Sequence, residues 1–206
     1  MLLKKTPLDG AVEIECLPKK DKRGSFVRFF CQKSLSKLFN DTKIVQINSS
    51  YSRIAGTVRG LHFQSSPSQE NKFIRCIKGK IFDVIVDLRE ESKTFGKSYS
   101  LILDSKKMNM IFIPSGFAHG FQTLLPDTEM LYLHTDYHNT ELEKGYHYNS
   151  SDLKIPWPLE VTQISEKDKN LEIFKCERKK VFHEVCLLYT SPSPRDRVLS
   201  RMPSSA

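Results

Sequence analysis

Short stretches in which apolar and polar residues alternate dominate residues 11 to 165 of the chain. A two-residue period is typical of β-strands, because successive side chains point to opposite faces of a sheet. In "IFDVIVDLR", one face carries Phe82, Val84, Val86 and Leu88, and the other carries Asp83, Ile85 and Asp87. The same reasoning predicts strands at "TKIVQINSSYSR", "TVRGLHFQ", "NKFIRCI", "KSYSLILD", "NMIFIP" and "EMLYLHTDY".

The connections between these stretches are short and predict how the strands are arranged. The turn sequence "KGK", Lys78 to Lys80, joins "NKFIRCI" to "IFDVIVDLR" and predicts that the two strands form a hairpin. Only "QKSLSKLF" has the pattern of a helix, and it is short. Many strands, few helices and closely spaced turns predict an all-β fold, an antiparallel sandwich or barrel.

The domain organisation is predicted to be simple. Residues 1–175 contain no internal repeat or linker and are expected to form one domain, followed by a C-terminal extension at 176–185. The remainder, 186–206, is rich in Ser, Pro and Arg without periodicity, which is typical of a disordered tail. Its beginning, "CLLYTSPSPRD", also resembles the translation of a transposon-based sequencing adapter, so we expect this segment to be non-native.

Composition places the 206-residue chain among globular proteins, with 39% hydrophobic and 27% charged residues. No apolar run approaches the roughly 18 residues that span a membrane, and "MLLKKTPLDG" lacks the features of a signal peptide. The cysteines are scattered, with no Cys-x-x-Cys pair, and predict a reducing cytoplasm without a disulfide framework. They are Cys16, Cys31, Cys76, Cys176 and Cys186.

The formal net charge of +8 is spread along the chain, and "KCERKK" is its one dense basic cluster. No aromatic stripe accompanies that cluster, so the charge does not favour nucleic-acid binding. A basic surface suits an anionic small molecule equally well. We therefore expect a small-molecule partner, and neither a nucleic acid nor a membrane.

The stretch "IPSGFAHGF", Ile113 to Phe121, contains the spacing Pro-x-Gly-x-x-His and resembles the second sequence motif of cupins, which are small jelly-roll barrels. In metal-binding cupins an earlier His-x-His supplies further ligands, but here Gln64 stands two residues after His62. A metal would have only His62 and His119, with Glu70 as a distant third ligand. A metal-dependent cupin enzyme, such as a dioxygenase, therefore stays an alternative.

Three polar residues alternate with apolar neighbours and are predicted to face the polar side of their strands. They are His62, Lys72 and Tyr132. Each alone is more commonly an ordinary exposed or hydrogen-bonded side chain, but together they suit proton abstraction beside a carbonyl. A histidine can accept the proton near neutrality, an ammonium can stabilise the enolate oxygen, and a tyrosine can return the proton. The carboxylate that orients the histidine would be Asp168 in "SEKD" or Asp83, and spacing does not choose between them.

Taken together, the motifs resemble the dTDP-4-dehydrorhamnose 3,5-epimerase family over about residues 11 to 170. They are, in order, "DKRGSFVRFF", "VQINSSYSRIAGTVRGLHFQ", "NKFIRCIKGKIFDVIVDLREESKTFG", "IPSGFAHGF", "YLHTDY", "LKIPWP" and "SEKD". The resemblance implies a metal-free and cofactor-free cupin-type jelly-roll barrel that forms homodimers. It also implies epimerisation at C3 and C5 of dTDP-4-dehydro-6-deoxyglucose, giving dTDP-4-dehydro-L-rhamnose.

The resemblance also implies roles for individual residues. His62 matches the family's base, Tyr132 its proton donor, Lys72 the lysine near the C4 oxygen, and Asp168 the carboxylate paired with the histidine. The implied substrate contacts are Arg23, Phe26, Arg28, Gln46, Asn48, Arg59, His119, His138, Glu143 and Lys167. Of these, Arg59 and His119 suit a pyrophosphate, which favours charge-assisted hydrogen bonds.

Two departures from the family pattern fall on residues that bind the nucleotide. Arg28 stands where the family usually has Glu, and His138 stands where it usually has a Tyr that stacks on thymine. The chemistry is therefore expected to be retained while the nucleotide or sugar specificity has shifted. A third departure is "YHYNSSDL", where the family usually has Trp-Asn-Asp, and nothing in the sequence explains it.

Two further alternatives remain. An enzyme that inverts only C3 or only C5 would use the same base and enolate, so sequence hardly separates it from a 3,5-epimerase. A catalytically inactive sugar-nucleotide-binding protein is disfavoured, because the four residues matched to the family's catalytic set are all present.

Overall fold

The structure is a computed structural model, and it describes residues 1–39 and 42–177. Most of the regular structure in this part of the chain is β-strand. The strands are β1 (Leu2–Lys5), β2 (Val12–Glu15), β3 (Lys19–Asp21), β4 (Gly24–Phe26), β5 (Gln46–Ser52), β6 (Val58–Gln64), β7 (Lys72–Lys78), β8 (Lys80–Asp87), β9 (Ser98–Asp104), β10 (Asn109–Ile113), β11 (Phe117–Thr123), β12 (Thr128–His134) and β13 (Glu143–Gly145).

Eleven of these strands form two antiparallel sheets. The six-stranded sheet has the order β1-β2-β10-β7-β12-β5, and the five-stranded sheet has the order β13-β6-β11-β8-β9. The strands β3 and β4 form a separate two-stranded hairpin. The predicted all-β fold of the cupin-type jelly roll is therefore confirmed.

Helices are few and short, as expected. The predicted "QKSLSKLF" helix is present as α1 (Gln32–Leu35), which continues into a 3₁₀ turn, Ser36–Leu38. A second 3₁₀ turn (Ser151–Leu153) and a second helix, α2 (Glu166–Lys169), were not predicted. Four residues are too few to display a helical period, so only a capping residue could have indicated α2.

The predicted hairpin of β7 and β8 is wrong. The strand β7 pairs with β10 and β12 in the six-stranded sheet, whereas β8 pairs with β9 and β11 in the five-stranded sheet. Gly79, with φ of +85°, turns the chain from one sheet into the other and packs against Thr128. Alternation identifies a strand and its two faces, but it does not say which sheet the strand joins.

Apolar side chains pack on both faces of each sheet. The cluster between the sheets comprises Leu8, Ala11, Ile74, Cys76, Ile81, Ile85, Leu101, Leu103, Ile111, Ile113, Phe117, Phe121 and Met130. A second cluster, under α1, comprises Ile14, Cys16, Leu35, Phe39, Phe73, Met110, Phe112 and Leu133. A third, under the C-terminal segment, comprises Leu61, Val84, Val86, Ala118, Leu153 and Phe174. Burial of this apolar area is the main stabilising contribution to the fold.

Part of the predicted domain organisation lies outside the described residues. This applies to residues 178–185 of the predicted extension and to the whole segment 186–206, so these boundaries stay predictions. Within the residues described, no helix is long and apolar enough to cross a membrane. The four described cysteines are free thiols, and the fifth, Cys186, lies in the part not described.

Candidate active site

A cavity of about 960 Å³ opens between the two sheets. Its walls include residues from β5, β7 and β12 of one sheet, from β6, β11 and β13 of the other, and residues 161–165 and 167–169. The family resemblance implies four catalytic residues and ten substrate contacts. Ten of these fourteen line the cavity: His62, Lys72, Tyr132, Asp168, Asn48, Arg59, His119, His138, Glu143 and Lys167. Residues that are distant in sequence are thus brought to one site.

Two glycines allow the strands on one side of the cavity to approach closely. A Cβ atom on Gly60, whose φ is +109°, would lie 2.6 Å from the Cα atom of Gly120. A Cβ atom on Gly120 would in turn lie 2.8 Å from the carbonyl oxygen of Arg59. The register of β11 against β6 shifts between His119 and Phe121, beside this contact. This irregular pairing sets His62 and His119 opposite each other.

The imidazole of His62 is held by the carboxylate of Asp168. The distance from His62 Nε2 to Asp168 Oδ1 is 2.7 Å, and the backbone N–H of Gly60 donates to Oδ2 at 3.1 Å. The side chain of Ser165 caps α2 by accepting from the Asp168 N–H. The sequence left the orienting carboxylate open between Asp168 and Asp83, and it is Asp168 that contacts His62.

Hydrogen bonding keeps Asp168 ionised. Burial alone would raise the pKa of Asp168, but the bonds from His62 and Gly60 outweigh it and hold the pKa below its usual value. A carboxylate accepts the Nε2 proton of a neutral imidazole, so Nδ1 of His62 carries the free lone pair. That nitrogen can accept a proton from a bound molecule.

A second histidine–carboxylate pair lies beside the first. His119 Nε2 lies 2.7 Å from Asp83 Oδ1, and both side chains are buried. Within the described residues, the other oxygen of Asp83 has no hydrogen-bond partner. This pair lies on the same sheet as His62, and the ring of His119 contacts Tyr132 edge-on with centroids 6.3 Å apart.

Tyr132 reaches the cavity from the other sheet. Its hydroxyl is 2.9 Å from Ser50 Oγ, and its ring stacks beside that of His134. Burial raises the pKa of the Tyr132 phenol strongly, and the charge of Asp83 raises it further, while the bond with Ser50 opposes the shift. The phenol is therefore protonated at physiological pH and can act as a proton donor.

Lys72 lies in a cluster that the sequence revealed only in part. Its Nζ atom is 3.2 Å from Glu70 Oε2, and Glu70 Oε1 is 2.7 Å from His134 Nδ1. Glu70 appeared in the sequence only as a distant metal ligand, and His134 was missed. The signal was available, because His134 follows Tyr132 by two positions on the same face of β12.

The three donors considered for a metal have separate partners. His62 contacts Asp168, His119 contacts Asp83, and Glu70 contacts Lys72 and His134. Among the residues that the structure describes, no group of three or more His, Cys, Asp and Glu side chains is arranged to hold a metal ion.

Cationic and aromatic side chains form the rim of the cavity. Arg59 donates to the carbonyl oxygen of Tyr51 at 3.0 Å, and Lys167 pairs with Glu143 at 2.7 Å. His138 lies 3.8 Å from the same carboxylate. Gln46 does not line the cavity, but its Oε1 accepts the backbone N–H of His138 at 3.0 Å and so supports the rim.

Three implied substrate contacts lie apart from the cavity in the single chain. Arg23 pairs with Asp21 in the β3–β4 hairpin, and Phe26 at the end of that hairpin is 70% exposed. Phe26 and Arg28 line a smaller cavity of about 350 Å³. The role of these three residues in binding stays a prediction.

Comparison with known proteins gives a consistent result. The family model described as dTDP-4-dehydrorhamnose 3,5-epimerase matches residues 5–175. A protein of that name from Methanothermobacter thermautotrophicus is 40% identical over 169 residues, which cover 81% of this chain and 90% of the relative.

Solved structures agree. The dTDP-4-dehydrorhamnose 3,5-epimerase of Bacillus anthracis, with TDP and PPi bound, has a TM-score of 0.81 at 38% identity and covers 84% of this chain and 99% of its own. The dTDP-6-deoxy-D-glucose-3,5-epimerase of Legionella pneumophila, in complex with dTDP-4-keto-L-rhamnose, has a TM-score of 0.79 at 36% identity, with 84% and 92% covered.

Proposed function

The chain belongs to the dTDP-4-dehydrorhamnose 3,5-epimerase family, and from that premise we propose that its cavity converts dTDP-4-dehydro-6-deoxyglucose into dTDP-4-dehydro-L-rhamnose. The protein is an isomerase. One observation carries the assignment of the site: a single cavity contains the oriented His62 on one sheet and the protonated Tyr132 on the other.

In the proposed mechanism, Nδ1 of His62 removes the proton from the carbon next to the C4 ketone. The electron pair of the broken C–H bond moves to the C4 oxygen as an enolate, and the Lys72 ammonium stabilises the charge that develops there. Tyr132 then protonates the carbon from the opposite face, which inverts the centre. His62 releases its proton to solvent and Tyr132 regains one, so the protein is restored for the second centre.

The nucleotide end of the substrate is assigned to the rim. Arg59 and Lys167 supply positive charge for the pyrophosphate, and the His138 ring supplies a face on which a base can stack. Because imidazole is smaller and more polar than a phenol ring, we expect altered preference for the base. Comparing turnover of dTDP-, UDP-, CDP- and GDP-linked 4-keto sugars tests this, and a strong preference for dTDP would refute the shift.

We also propose a homodimer in a reducing cytoplasm. Phe26 is 70% exposed, and the β3–β4 hairpin joins neither of the two large sheets, so a second copy of the chain would cover an exposed apolar side chain there. Free thiols at the four described cysteines fit a reducing compartment. Light scattering of the purified protein at several concentrations tests the dimer, and a mass equal to one chain would refute it.

The test of the function is an incubation with dTDP-4-dehydro-6-deoxyglucose in deuterated water, followed by NMR. We expect deuterium at both C3 and C5 and formation of dTDP-4-dehydro-L-rhamnose, with activity retained in a chelator. Deuterium at one carbon only would identify a mono-epimerase, the second candidate. No exchange at either carbon would overturn the assignment.

A further inference from the structure

A third histidine–carboxylate pair in the cavity has no part in the mechanism above. It consists of Glu70 and His134, and Lys72 joins it through the second oxygen of Glu70. The three side chains are 8%, 10% and 13% exposed, in the order Glu70, His134 and Lys72. Burying a carboxylate this deeply costs free energy unless its charge is paired and hydrogen-bonded.

Glu70 also ends a chain of hydrogen bonds that begins at Gln46, outside the cavity, and continues through Asn48 and His134, which line it. Gln46 Nε2 donates to Asn48 Oδ1 at 3.3 Å, and Asn48 Nδ2 faces His134 Nε2 at 3.4 Å. An amide N–H can only donate, so the geometry fits the tautomer in which His134 Nε2 accepts from Asn48 and its Nδ1–H donates to Glu70. Each oxygen of Glu70 therefore has a donor: His134 contacts Oε1, and the Lys72 ammonium lies 3.2 Å from Oε2.

In the part of the chain that the structure describes, each of the other carboxylates that lines the cavity, or contacts a histidine that does, already has a partner. Asp168 holds His62, Asp83 holds His119, and Glu143 pairs with Lys167. Among the described residues, Glu70 is the anion that pairs with Lys72. Burial raises the pKa of Glu70, but the bond from His134 and the charge of Lys72 outweigh it, so its pKa lies below the usual value.

We propose that Glu70 is a positioning residue that fixes the Lys72 ammonium where the C4 oxygen gains charge. This inference rests on the proposed function and deepens it. A flexible lysine side chain loses rotamer entropy when it is held in one position, and a partner that holds it in advance removes that cost from the transition state. Glu70 therefore acts on the step that forms the enolate and leaves binding of the nucleotide end unaffected.

The test is a double-mutant cycle with Glu70→Gln and Lys72→Ala, measured as deuterium exchange at C3 and C5. The amide of Glu70→Gln keeps the size and can still accept from His134, but it lacks the charge that holds the ammonium. We expect Glu70→Gln to lower kcat about ten- to hundredfold with KM and the Kd of dTDP within about twofold of wild type. In the Lys72→Ala background, Glu70→Gln is expected to cause no further loss.

The matched control is Glu129→Gln. Glu129 on β12 pairs with Lys78 on β7 at 3.8 Å, and it is not among the residues that line the cavity. It is expected to keep wild-type kcat. If circular dichroism shows that Glu70→Gln does not fold, Glu70→Asp replaces it in the cycle. Its carboxylate is withdrawn from Lys72 by one methylene, so a lowered kcat with unchanged KM is again expected.

Three results would overturn the inference: unchanged kcat in Glu70→Gln, losses that multiply with those of Lys72→Ala, or a rise in KM equal to the fall in kcat/KM. Multiplying losses would mean that Glu70 serves the fold and not Lys72. Deuterium exchange by the wild-type enzyme distinguishes a failure of this inference from a failure of the proposed function. If wild type exchanges no deuterium, the proposed function falls and the inference falls with it.

Discussion

His62 and Asp168 are 106 positions apart in the chain, yet their side chains meet at 2.7 Å in the cavity. Asp168 lies on the four-residue helix α2, and its second oxygen accepts a hydrogen bond from the backbone N–H of Gly60, which is on the same strand as His62. The carboxylate thus bridges the backbone and the side chain of one strand. Because it holds Nε2 of His62, it leaves Nδ1 free to accept a proton.

Replacing this carboxylate by an amide tests the pairing. In Asp168→Asn, one of the two acceptor oxygens becomes an NH₂ group, which faces either Gly60 N–H or His62 Nε2 as a second donor. We expect kcat to fall about 10²- to 10⁴-fold, the range of general-base catalysis. The control is Glu166→Gln on the same helix, whose side chain is exposed, and which should stay within about twofold of wild type. Equal activities of the two variants would refute the role of Asp168.

The protonation of Tyr132 can be observed by ultraviolet absorbance. Burial, and to a lesser extent the charge of Asp83, raise the pKa of the Tyr132 phenol above the ordinary value of 10.0. An acid with a raised pKa stays protonated to higher pH, so the wild-type spectrum minus that of Tyr132→Phe should contain no phenolate signal at about pH 10. A half-developed phenolate signal at that pH would show that Tyr132 is not buried as described.

The close approach of Gly60 and Gly120 predicts a site where one methyl group is harmful. The Cβ atom of Gly120→Ala would lie 2.8 Å from both the Arg59 carbonyl oxygen and Leu61 Cδ2. We expect a loss of about 1–3 kcal/mol in the free energy of unfolding, together with reduced kcat, because β6 must shift and carries His62 with it. Urea denaturation and turnover measure the two effects. Wild-type stability and activity would show that the strands are farther apart.

Away from the cavity, Asp87 predicts how stability depends on pH. It is fully buried and accepts hydrogen bonds from Arg89, Ser92 and Thr94. Burial raises the pKa of Asp87, but these bonds outweigh it, so its pKa in the folded chain lies below the ordinary 3.8. Its contribution to stability is therefore complete above that value and is lost as the pH falls through the folded pKa.

The measurement is urea denaturation of wild type and Asp87→Ala over a range of pH. At neutral pH we expect the variant to be less stable by on the order of 3 kcal/mol, since it leaves a partly buried Arg89 without its carboxylate. The difference should shrink below about pH 4. A difference that stays constant or grows in acid would contradict the assignment of the charge to Asp87.

Much of the architecture could be predicted from the sequence, because alternation is a local property. The strand stretches from "TVRGLHFQ" to "EMLYLHTDY" are present, and the parity of His62, Lys72 and Tyr132 indicated that they share polar faces. Alternation does not encode which sheet a strand joins, so β7 and β8 were wrongly paired.

Contacts across the chain were harder to predict. The choice of Asp168 over Asp83 depends on how α2 packs against β6, which spacing does not specify. The contact of Glu70 with His134 joins β12 to the end of a loop 64 positions away, and nothing local to either residue indicates it. The first contact arises from the packing of α2 on β6, and the second from the pairing of β12 with β7, which sets His134 opposite Lys72.

The central claim is that His62 removes the proton and Tyr132 returns it from the opposite sheet. It is tested most directly by deuterium incorporation into dTDP-4-dehydro-6-deoxyglucose by wild type, His62→Ala and Tyr132→Phe. The account predicts exchange at C3 and C5 in wild type, none in His62→Ala, and exchange with little inversion in Tyr132→Phe. Exchange by His62→Ala at the wild-type rate would contradict it.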